Sequence, residues 1–172
     1  MKKIIISLFI MTILVLVNKN DTKVLIPDDA IRFRIIANSN SIEDQKEKIE
    51  IRNELEPIIA DILNNSDSKE ETKNEIDLNM NKINNVINKY NSNYDINYGL
   101  NYFPEKNYKG VTYKGGNYES LVVTLGDGLG DNWWCVLFPP LCLLEANESG
   151  IDDITYTSYL QELLNKYQLS NK

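Results

Sequence analysis

The sequence predicts an α+β fold in which helices pack on one face of a mostly antiparallel sheet, preceded by an N-terminal signal or anchor helix. Three patterns support this: an apolar run at the N-terminus, short segments of alternating apolar and polar residues, and longer segments with helical spacing of apolar residues. A period of two is typical of strands, and spacings of three and four are typical of helices. The order is strand, two helices, several strands and a helix, which favours helices on one side of an antiparallel sheet.

The composition excludes several classes of functional site. The chain has 172 residues, enough for one domain, and contains no histidine. Without histidine there is no Ser-His-Asp or Cys-His nucleophilic site and no His-ligated zinc, and two cysteines cannot complete a four-cysteine zinc site or an iron–sulfur cage. The net charge of −7 argues against nucleic acid as the main partner. We therefore expect no cofactor, no metal ion and no nucleic-acid partner.

The N-terminus resembles an export signal. Lys2 and Lys3 precede an apolar-dominated run over residues 4–17, and a short basic head before such a run is typical of a secretory signal. At ~1.5 Å per residue the run spans about 21 Å, less than the ~30 Å hydrocarbon core of a membrane. No small-residue cleavage motif follows it, so retention as a membrane tether is one alternative and an ordinary core helix is another. We assign residues 1–23 to a signal peptide or signal anchor and residues 24–172 to a single exported domain.

The first predicted strand covers residues 31–35, where isoleucine and phenylalanine alternate with arginine. Arg32 and Arg34 therefore share the face opposite the apolar side chains. This pattern favours a solvated face on which the two arginines pair with acids, and exposed pairs of that kind contribute little to stability. Contact with an anion or with a partner protein is the alternative for the same two side chains.

Two helices are predicted to follow. Ser41, with acidic residues behind it, is a typical helix N-cap, and the first helix is expected over residues 42–63. Pro57 is expected to break or kink it, because proline lacks an amide donor and clashes with the preceding turn. Ser68 and Glu71 form a capping box that begins the second helix. Apolar residues spaced by three and four predict the face of this helix that packs on a sheet: Ile76, Met80, Ile83, Ile87 and Tyr90.

The remaining strands are predicted in the second half of the chain. Residues 94–102 alternate apolar and polar side chains, which predicts a strand buried on one face only. The predicted buried face consists of Tyr94, Ile96, Tyr98, Leu100 and Tyr102. Two further strands are expected at residues 111–113 and 118–125, around a turn at residues 114–117. Helical spacing of leucine and tyrosine predicts a C-terminal helix over residues 156–169.

A glycine-rich loop at residues 126–130 is predicted to be flexible, and its spacing matches neither the dinucleotide fingerprint nor the phosphate-binding loop. Asp127 and Asp131 flank this loop, and Asp152 and Asp153 are adjacent farther on. Two carboxyl groups about 5–9 Å apart suffice for glycoside hydrolysis, so a secreted carboxylate-dependent cell-wall hydrolase is the alternative function. Acids at such spacings are more often solvated surface residues.

Residues 132–142 hold both tryptophans, both cysteines and the one Pro-Pro pair. The segment is too apolar for a linker and too interrupted by proline for a central strand. Its side chains are either buried in the hydrophobic core, which the composition favours, or displayed on an exposed loop as binding hot spots. In an exported chain Cys135 and Cys142 are expected to form a disulfide, with two buried free thiols as the alternative. The candidate partner-binding residues are Asn132, Trp133, Trp134, Phe138, Pro139 and Pro140, together with Arg32 and Arg34.

Three segments together carry a resemblance to a known family. They are residues 31–41 with Asp44-Gln45, residues 113–118 leading into Leu121-Val122-Val123, and residues 126–142. On these segments the chain resembles the stage II sporulation protein R family of endospore-forming bacteria. The last segment is the most specific, because a Trp-Trp-Cys run followed by Phe-Pro-Pro-Leu-Cys is hard to reach by chance. The resemblance covers essentially all of the predicted exported domain, and the two helices between match only in general character.

This resemblance implies a signalling protein and not an enzyme. Members of the family are made in the forespore and exported into the space between the two septal membranes. There they trigger a mother-cell membrane aspartic protease, stage II sporulation protein GA, which cleaves the precursor of sigma-E. The implied partner is therefore the extracytoplasmic part of that protease. The chain's predicted export and its lack of a recognisable catalytic motif agree with this implication.

Deleting residues 1–17 should leave the chain in the cytoplasm and abolish signalling, because the basic head and apolar run that direct export are then gone. The measurement is fractionation of the producing cells, with cleavage of the sigma-E precursor scored in parallel. Complete precursor cleavage by a truncated chain that fractionates with the cytoplasm would contradict this prediction.

Overall fold

The computed structural model describes residues 24–108, 111–142 and 161–167. They form an α+β fold with a four-stranded sheet, a small three-stranded sheet and helices. The predicted signal segment and part of the predicted C-terminal helix lie outside the described residues. None of the helices within the described ranges is long and apolar enough to cross a membrane.

The elements follow the order that the sequence predicts, with two short strands and one seven-residue strand in addition. The seven-residue strand lies in the segment with both tryptophans, where the sequence predicts no strand, and it forms an edge of its sheet. In chain order the elements are β1 (Val24–Leu25), β2 (Ile31–Ile36), α1 (Ile42–Asn64), α2 (Lys69–Tyr90), β3 (Tyr94–Phe103), β4 (Lys106–Tyr108), β5 (Val111–Tyr113), β6 (Gly116–Leu125) and β7 (Asn132–Phe138). Residues 161–167 are helical.

The four-stranded sheet has the order β3-β6-β2-β7. Its two outer pairs, β3 with β6 and β2 with β7, are antiparallel, and its central strands β2 and β6 are parallel. Phe33 and Ile35 of β2 lie in the same apolar cluster as the buried residues of α1 and α2, so both helices cover one face. The predicted fold class, an α+β chain with a mostly antiparallel sheet, is confirmed.

The small sheet, in the order β1-β5-β4, is not predicted as a sheet. The sequence predicts β5, but β1 and β4, of two and three residues, give no detectable alternation. The strands expected on both sides of residues 114–117 exist, but they belong to different sheets. Gly115 lies close to the backbone of Glu105, and an added Cβ atom would be 2.9 Å from the Glu105 amide nitrogen. This close approach holds the turn between β5 and β6 against the end of β3.

Helix α1 begins at its predicted cap and does not break. The Ser41 hydroxyl accepts a hydrogen bond from the Asp44 amide at 3.1 Å. Pro57 lies inside the helix and faces solvent, so the expected break is wrong. The helix continues because Leu55 and Ile59, one turn apart on either side of the proline, are both buried against the sheet.

Helix α2 follows the sequence prediction closely. The Ser68 hydroxyl accepts from the Glu71 amide at 3.2 Å, and the Glu71 carboxylate accepts from the Asp67 amide at 2.7 Å. Ile76, Ile83 and Ile87 of the predicted apolar face are buried. Tyr90 is instead largely exposed and donates a hydrogen bond to Glu54 of α1 at 2.6 Å.

Strand β3 forms as predicted, but its apolar face is only half covered. Tyr94, Ile96 and Tyr98 pack against the helix-side core. Leu100 and Tyr102 are 78% and 64% exposed, so the prediction that the whole face is buried is wrong for them. The sequence cannot show this, because the alternation continues past the point where helix cover ends.

The glycine-rich loop forms a turn whose backbone amides are hydrogen-bonded to a neighbouring segment. Gly126 and Gly128 have φ angles of +54° and +64°, which the absence of a Cβ atom permits. The amides of Leu129 and Gly130 donate to the carbonyl oxygens of Asn38 and Ala37 at 3.0 and 2.9 Å. The loop therefore lies against the segment that joins β2 to α1.

Cys135 and Cys142 form a disulfide with their Cα atoms 5.2 Å apart. The chain reverses between them at Pro139 and Pro140, and the Phe138–Pro139 peptide bond is cis. The Leu141 amide donates to the carbonyl oxygen of Pro139 at 2.8 Å, which closes the turn.

Replacing both cysteines with serine should lower the free energy of unfolding by about 2.5 kcal/mol, because the bridge restricts the unfolded chain over a sequence separation of 7. Urea unfolding followed by tryptophan fluorescence measures the change. The reduced wild-type chain is the matched control and should lose a similar amount. Equal unfolding midpoints for the oxidised wild type and the double variant would contradict the prediction.

Candidate partner-binding surface

Strands β2 and β7 bring the predicted arginines and tryptophans together. Their register sets Arg34 opposite Trp134 and Ile36 opposite Asn132. Residues directly opposite each other on neighbouring strands project to the same face. Arg34, Trp134 and Asn132 therefore lie on the face that α1 and α2 do not cover, and Arg32 lies two residues along the same face.

Arg32 lies in an aromatic cluster and is only 1% exposed. Its guanidinium carbon is 3.5 Å from the ring centre of Tyr118 and 5.1 Å from that of Phe103. Tyr113 and Trp134 complete the surroundings at 6.0 and 5.9 Å. Such cation–π contacts are worth about 2 kcal/mol or more when the cation is desolvated. The predicted solvated, acid-paired face is therefore wrong for Arg32.

The guanidinium of Arg32 is surrounded by aromatic rings and one carbonyl group rather than by a carboxylate. Its Nη2 donates to the Lys114 carbonyl oxygen at 3.2 Å, and its Nε has no hydrogen-bond partner. Among the described residues, no carboxylate forms an ion pair with it. Burial lowers the pKa of the Arg32 guanidinium, and the nearby Tyr118 and Tyr113 partly oppose that shift. The cluster is therefore a buried cationic centre that joins the two sheets.

Beside this cluster the same face reaches solvent. The guanidinium carbon of Arg34 is 4.6 Å from the ring centre of Phe103, and burial lowers the pKa of Arg34. The exposed Lys106 places its Nζ 5.4 Å from the ring centre of the half-buried Trp134. We call Arg34, Lys106, Asn132 and Trp134 the arginine–tryptophan face. It carries two positive charges in a chain whose net charge is −7.

Trp133 and Phe138 lie on the opposite, helix-covered side of the sheet. The Trp133 ring meets Phe33 edge to face at 5.6 Å, and the Arg52 guanidinium carbon is 5.5 Å from its centre. Phe138 is buried and meets Tyr167 edge to face at 5.3 Å. These contacts give both side chains a packing role.

The eight predicted contact residues therefore do not form one surface. Three of them are buried: Arg32, Phe138 and Pro139. A partner could touch these three only if the core opened. Trp133 and Pro140 are half-buried at other places, and only Arg34, Asn132 and Trp134 both share a face and reach solvent. Sequence reasoning missed Lys106, because its approach to Trp134 depends on the small sheet.

A polar junction that the sequence analysis did not identify joins the start of α1 to the loop before β7. Asp44 accepts hydrogen bonds from Asn38 Nδ2 at 3.0 Å and Ser39 Oγ at 2.5 Å, which lower the pKa of its carboxyl group. The nearly buried Lys48 donates to the Asp131 carbonyl oxygen at 2.9 Å, and burial lowers its pKa. This junction fixes the loop from which β7 starts, so it positions Asn132 and Trp134.

Where the structure describes them, the acids considered for a hydrolytic site are exposed surface residues. Asp127 and Asp131 are exposed, and their amides donate to the side chains of Asn38 and Asn40 at 3.0 and 2.6 Å. Asp152 and Asp153 lie outside the described residues. Over the ranges that the structure describes, no three acidic or cysteine side chains are grouped so that they could hold a metal ion.

Comparisons with known proteins agree on one family. The family model described as Stage II sporulation protein R matches residues 27–148. Stage II sporulation protein R of Bacillus subtilis (strain 168) is 38% identical over 128 residues, which cover 71% of this chain. The matched part spans 57% of that relative's length. No solved structure is significantly similar to the chain.

Replacing Arg32 with alanine should lower the free energy of unfolding by about 3 kcal/mol, because it empties a buried site and removes the cation–π contacts. Arg34→Ala is the matched control on the same strand and face. It should cost less than about 1 kcal/mol, because Arg34 is only half-buried. Urea unfolding of the two variants makes the comparison, and equal losses would contradict the buried role assigned to Arg32.

Proposed function

Because the chain belongs to the stage II sporulation protein R family, we propose that it is an exported sporulation signal that activates the mother-cell membrane aspartic protease, stage II sporulation protein GA. The protease then cleaves the precursor of sigma-E. Membership of the family is the observation that carries this proposal, since the family match spans residues 27–148 and so includes β2 to β7 and the disulfide. The name of the Bacillus subtilis relative supports a role in sporulation.

The proposed site of action is the space between the two membranes of the dividing cell. The sequence supports export through Lys2, Lys3 and the apolar run over residues 4–17, which would act as a cleaved signal or a tether. The disulfide between Cys135 and Cys142 supports the same location, because such bonds persist mainly outside the cytoplasm.

We propose that the chain acts by binding and has no catalytic activity of its own. It has no histidine, and the two described acids beside the glycine-rich loop, Asp127 and Asp131, are exposed. The chemistry available on the surface is instead that of a contact site. Tryptophan and arginine are the residues most often found at binding hot spots.

The arginine–tryptophan face is the proposed contact with the extracytoplasmic part of the protease. It combines the accessible part of Trp134 with Arg34 and Lys106, and α1 and α2 lie on the other side of the sheet. Its two positive charges suit an acidic segment of the partner, and opposite charges across an interface speed association. The buried cluster around Arg32 packs next to this face, and Trp134 belongs to both.

Replacing the exposed Asn132 with glutamate should reduce protease activation by about tenfold or more, because a negative charge on this face repels the proposed acidic segment and removes energy on the scale of a hot spot, ~2 kcal/mol. The assay is co-expression of the full chain with the protease and the sigma-E precursor in a non-sporulating host, with precursor cleavage scored.

Leu78→Glu is the matched control, since Leu78 is 74% exposed on α2 and lies away from the face. It should leave cleavage unchanged. Both variants should keep the thermal unfolding midpoint of the wild type. Normal cleavage by Asn132→Glu would exclude the arginine–tryptophan face as the contact.

A further inference from the structure

Strand β3 is a long sheet edge without the usual protection. It forms one edge of the four-stranded sheet and pairs with β6 over all ten residues without a register shift. Natural edge strands are normally protected from pairing with another chain by lysine, proline, a bulge or shortness. β3 has none of these, and Asp95 is its one charged residue.

The free side of β3 offers hydrogen-bonding groups. The Gly126 amide donates to the Asn93 carbonyl oxygen at 2.8 Å, in the same register as the β3–β6 ladder. In an antiparallel pair the residues that exchange hydrogen bonds alternate. The odd-numbered residues of β3 therefore bond to β6, and the amides and carbonyl groups of Ile96, Tyr98 and Leu100 point away from the sheet. No other described strand pairs with that side.

Apolar side chains accompany this free edge. Leu100 and Tyr102 are 78% and 64% exposed, on the same strand face as Tyr94, Ile96 and Tyr98. Those last three line an open groove of about 500 Å³ together with Met80, Asn84 and Asn88 of α2. The edge thus has two exposed apolar groups at one end and an open groove at the other.

On the helix side of β3, aromatic and aliphatic side chains alternate, and their order is the same when the strand is followed in either direction. The order is Tyr94, Ile96, Tyr98, Leu100 and Tyr102, with Tyr98 at the centre. If two copies pair antiparallel about Tyr98, each aromatic residue meets an aromatic residue and each aliphatic residue meets an aliphatic one. Such cross-strand pairs contribute roughly 0.2–1 kcal/mol each.

We propose that two copies of the chain pair through the free edges of β3, antiparallel and centred on Tyr98. Leu100 of one copy then lies opposite Ile96 of the other, and Tyr102 opposite Tyr94, so the exposed groups of each copy reach the groove of its mate. Two-fold symmetry makes both contacts at once, as in most homodimers.

The charges of the edge allow this pairing although the chain is acidic. On the other face of β3, Asp95 lies opposite Asn101, so no like charges face each other in this register. The α2 residues that line the groove, Met80, Asn84 and Asn88, are uncharged as well. An edge with one charged residue, in a chain of which 25% of residues are charged, favours a second copy over a strongly charged partner.

The first test measures the mass of the full chain in detergent by sedimentation. The wild type should have about twice the chain mass of 19.8 kDa. Leu100→Lys should sediment as a single chain at protein concentrations where the wild type is paired, because it sets a charge opposite Ile96 of the other copy. Leu78→Lys, at a similarly exposed position on α2, should keep the doubled mass.

The second test fixes the register by cross-linking. A mixture of full chains carrying Ile96→Cys and Leu100→Cys should form a disulfide between copies on mild oxidation, because directly opposed Cα atoms are about 5.5 Å apart. Leu100→Cys alone should not, because four residues along the pair separate the two cysteines by about 13 Å.

Three results would overturn the proposal: a wild type that stays at the mass of one chain, a doubled mass that survives Leu100→Lys, or no cross-link in the mixture. A monomeric wild type whose protease activation is nevertheless lost with Leu100→Lys would show that the edge binds a different protein. The mass and the cross-link do not require the protease, so their failure is distinct from failure of the proposed function.

Discussion

The enclosure of a charged guanidinium on a central strand is the constraint on which the rest of the structure depends. Arg32 lies on β2, which is hydrogen-bonded on both sides and covered by helices on one face. A cation there requires the second face to supply compensating groups. The rings of Tyr118 and Phe103 supply them, together with the carbonyl group of Lys114. The small sheet and the end of β3 therefore contribute groups that compensate the charge of Arg32.

Local patterns were sufficient to predict α1, α2 and the strands β2, β3, β5 and β6, but not β7 or the contacts between elements. The cap at Ser68 and the spacing of Ile76, Ile83 and Ile87 predict α2 correctly, because capping and periodicity act within one or two turns. Alternation likewise predicts β2 and β3. The break expected at Pro57 was wrong. Local sequence does not show that burial of the apolar residues on both sides of the proline outweighs one lost backbone hydrogen bond.

The candidate surface was less predictable, for a physical reason. Alternation places Arg32 and Arg34 on one face but does not reveal that residues about 70 to 100 positions away enclose only the first of them. In the same way, the cluster of tryptophan, cysteine and proline over residues 132–142 does not show which ring points to which side of the sheet. Only the register of β7 on β2 sends Trp133 to the helices and Trp134 to the arginine–tryptophan face.

The order of strands allows the two proposed contacts to coexist. β3 and β7 are the opposite edges of the four-stranded sheet, with β6 and β2 between them. At about 4.8 Å between neighbouring strands, the two edges are about 14 Å apart within one copy. Joining two copies through β3 would place the two β7 strands at the outer edges of an eight-stranded sheet, with both arginine–tryptophan faces on the side away from α1 and α2. A paired signal would therefore present two contact faces at once, and a partner that engages both would gain from the higher effective concentration of the second contact.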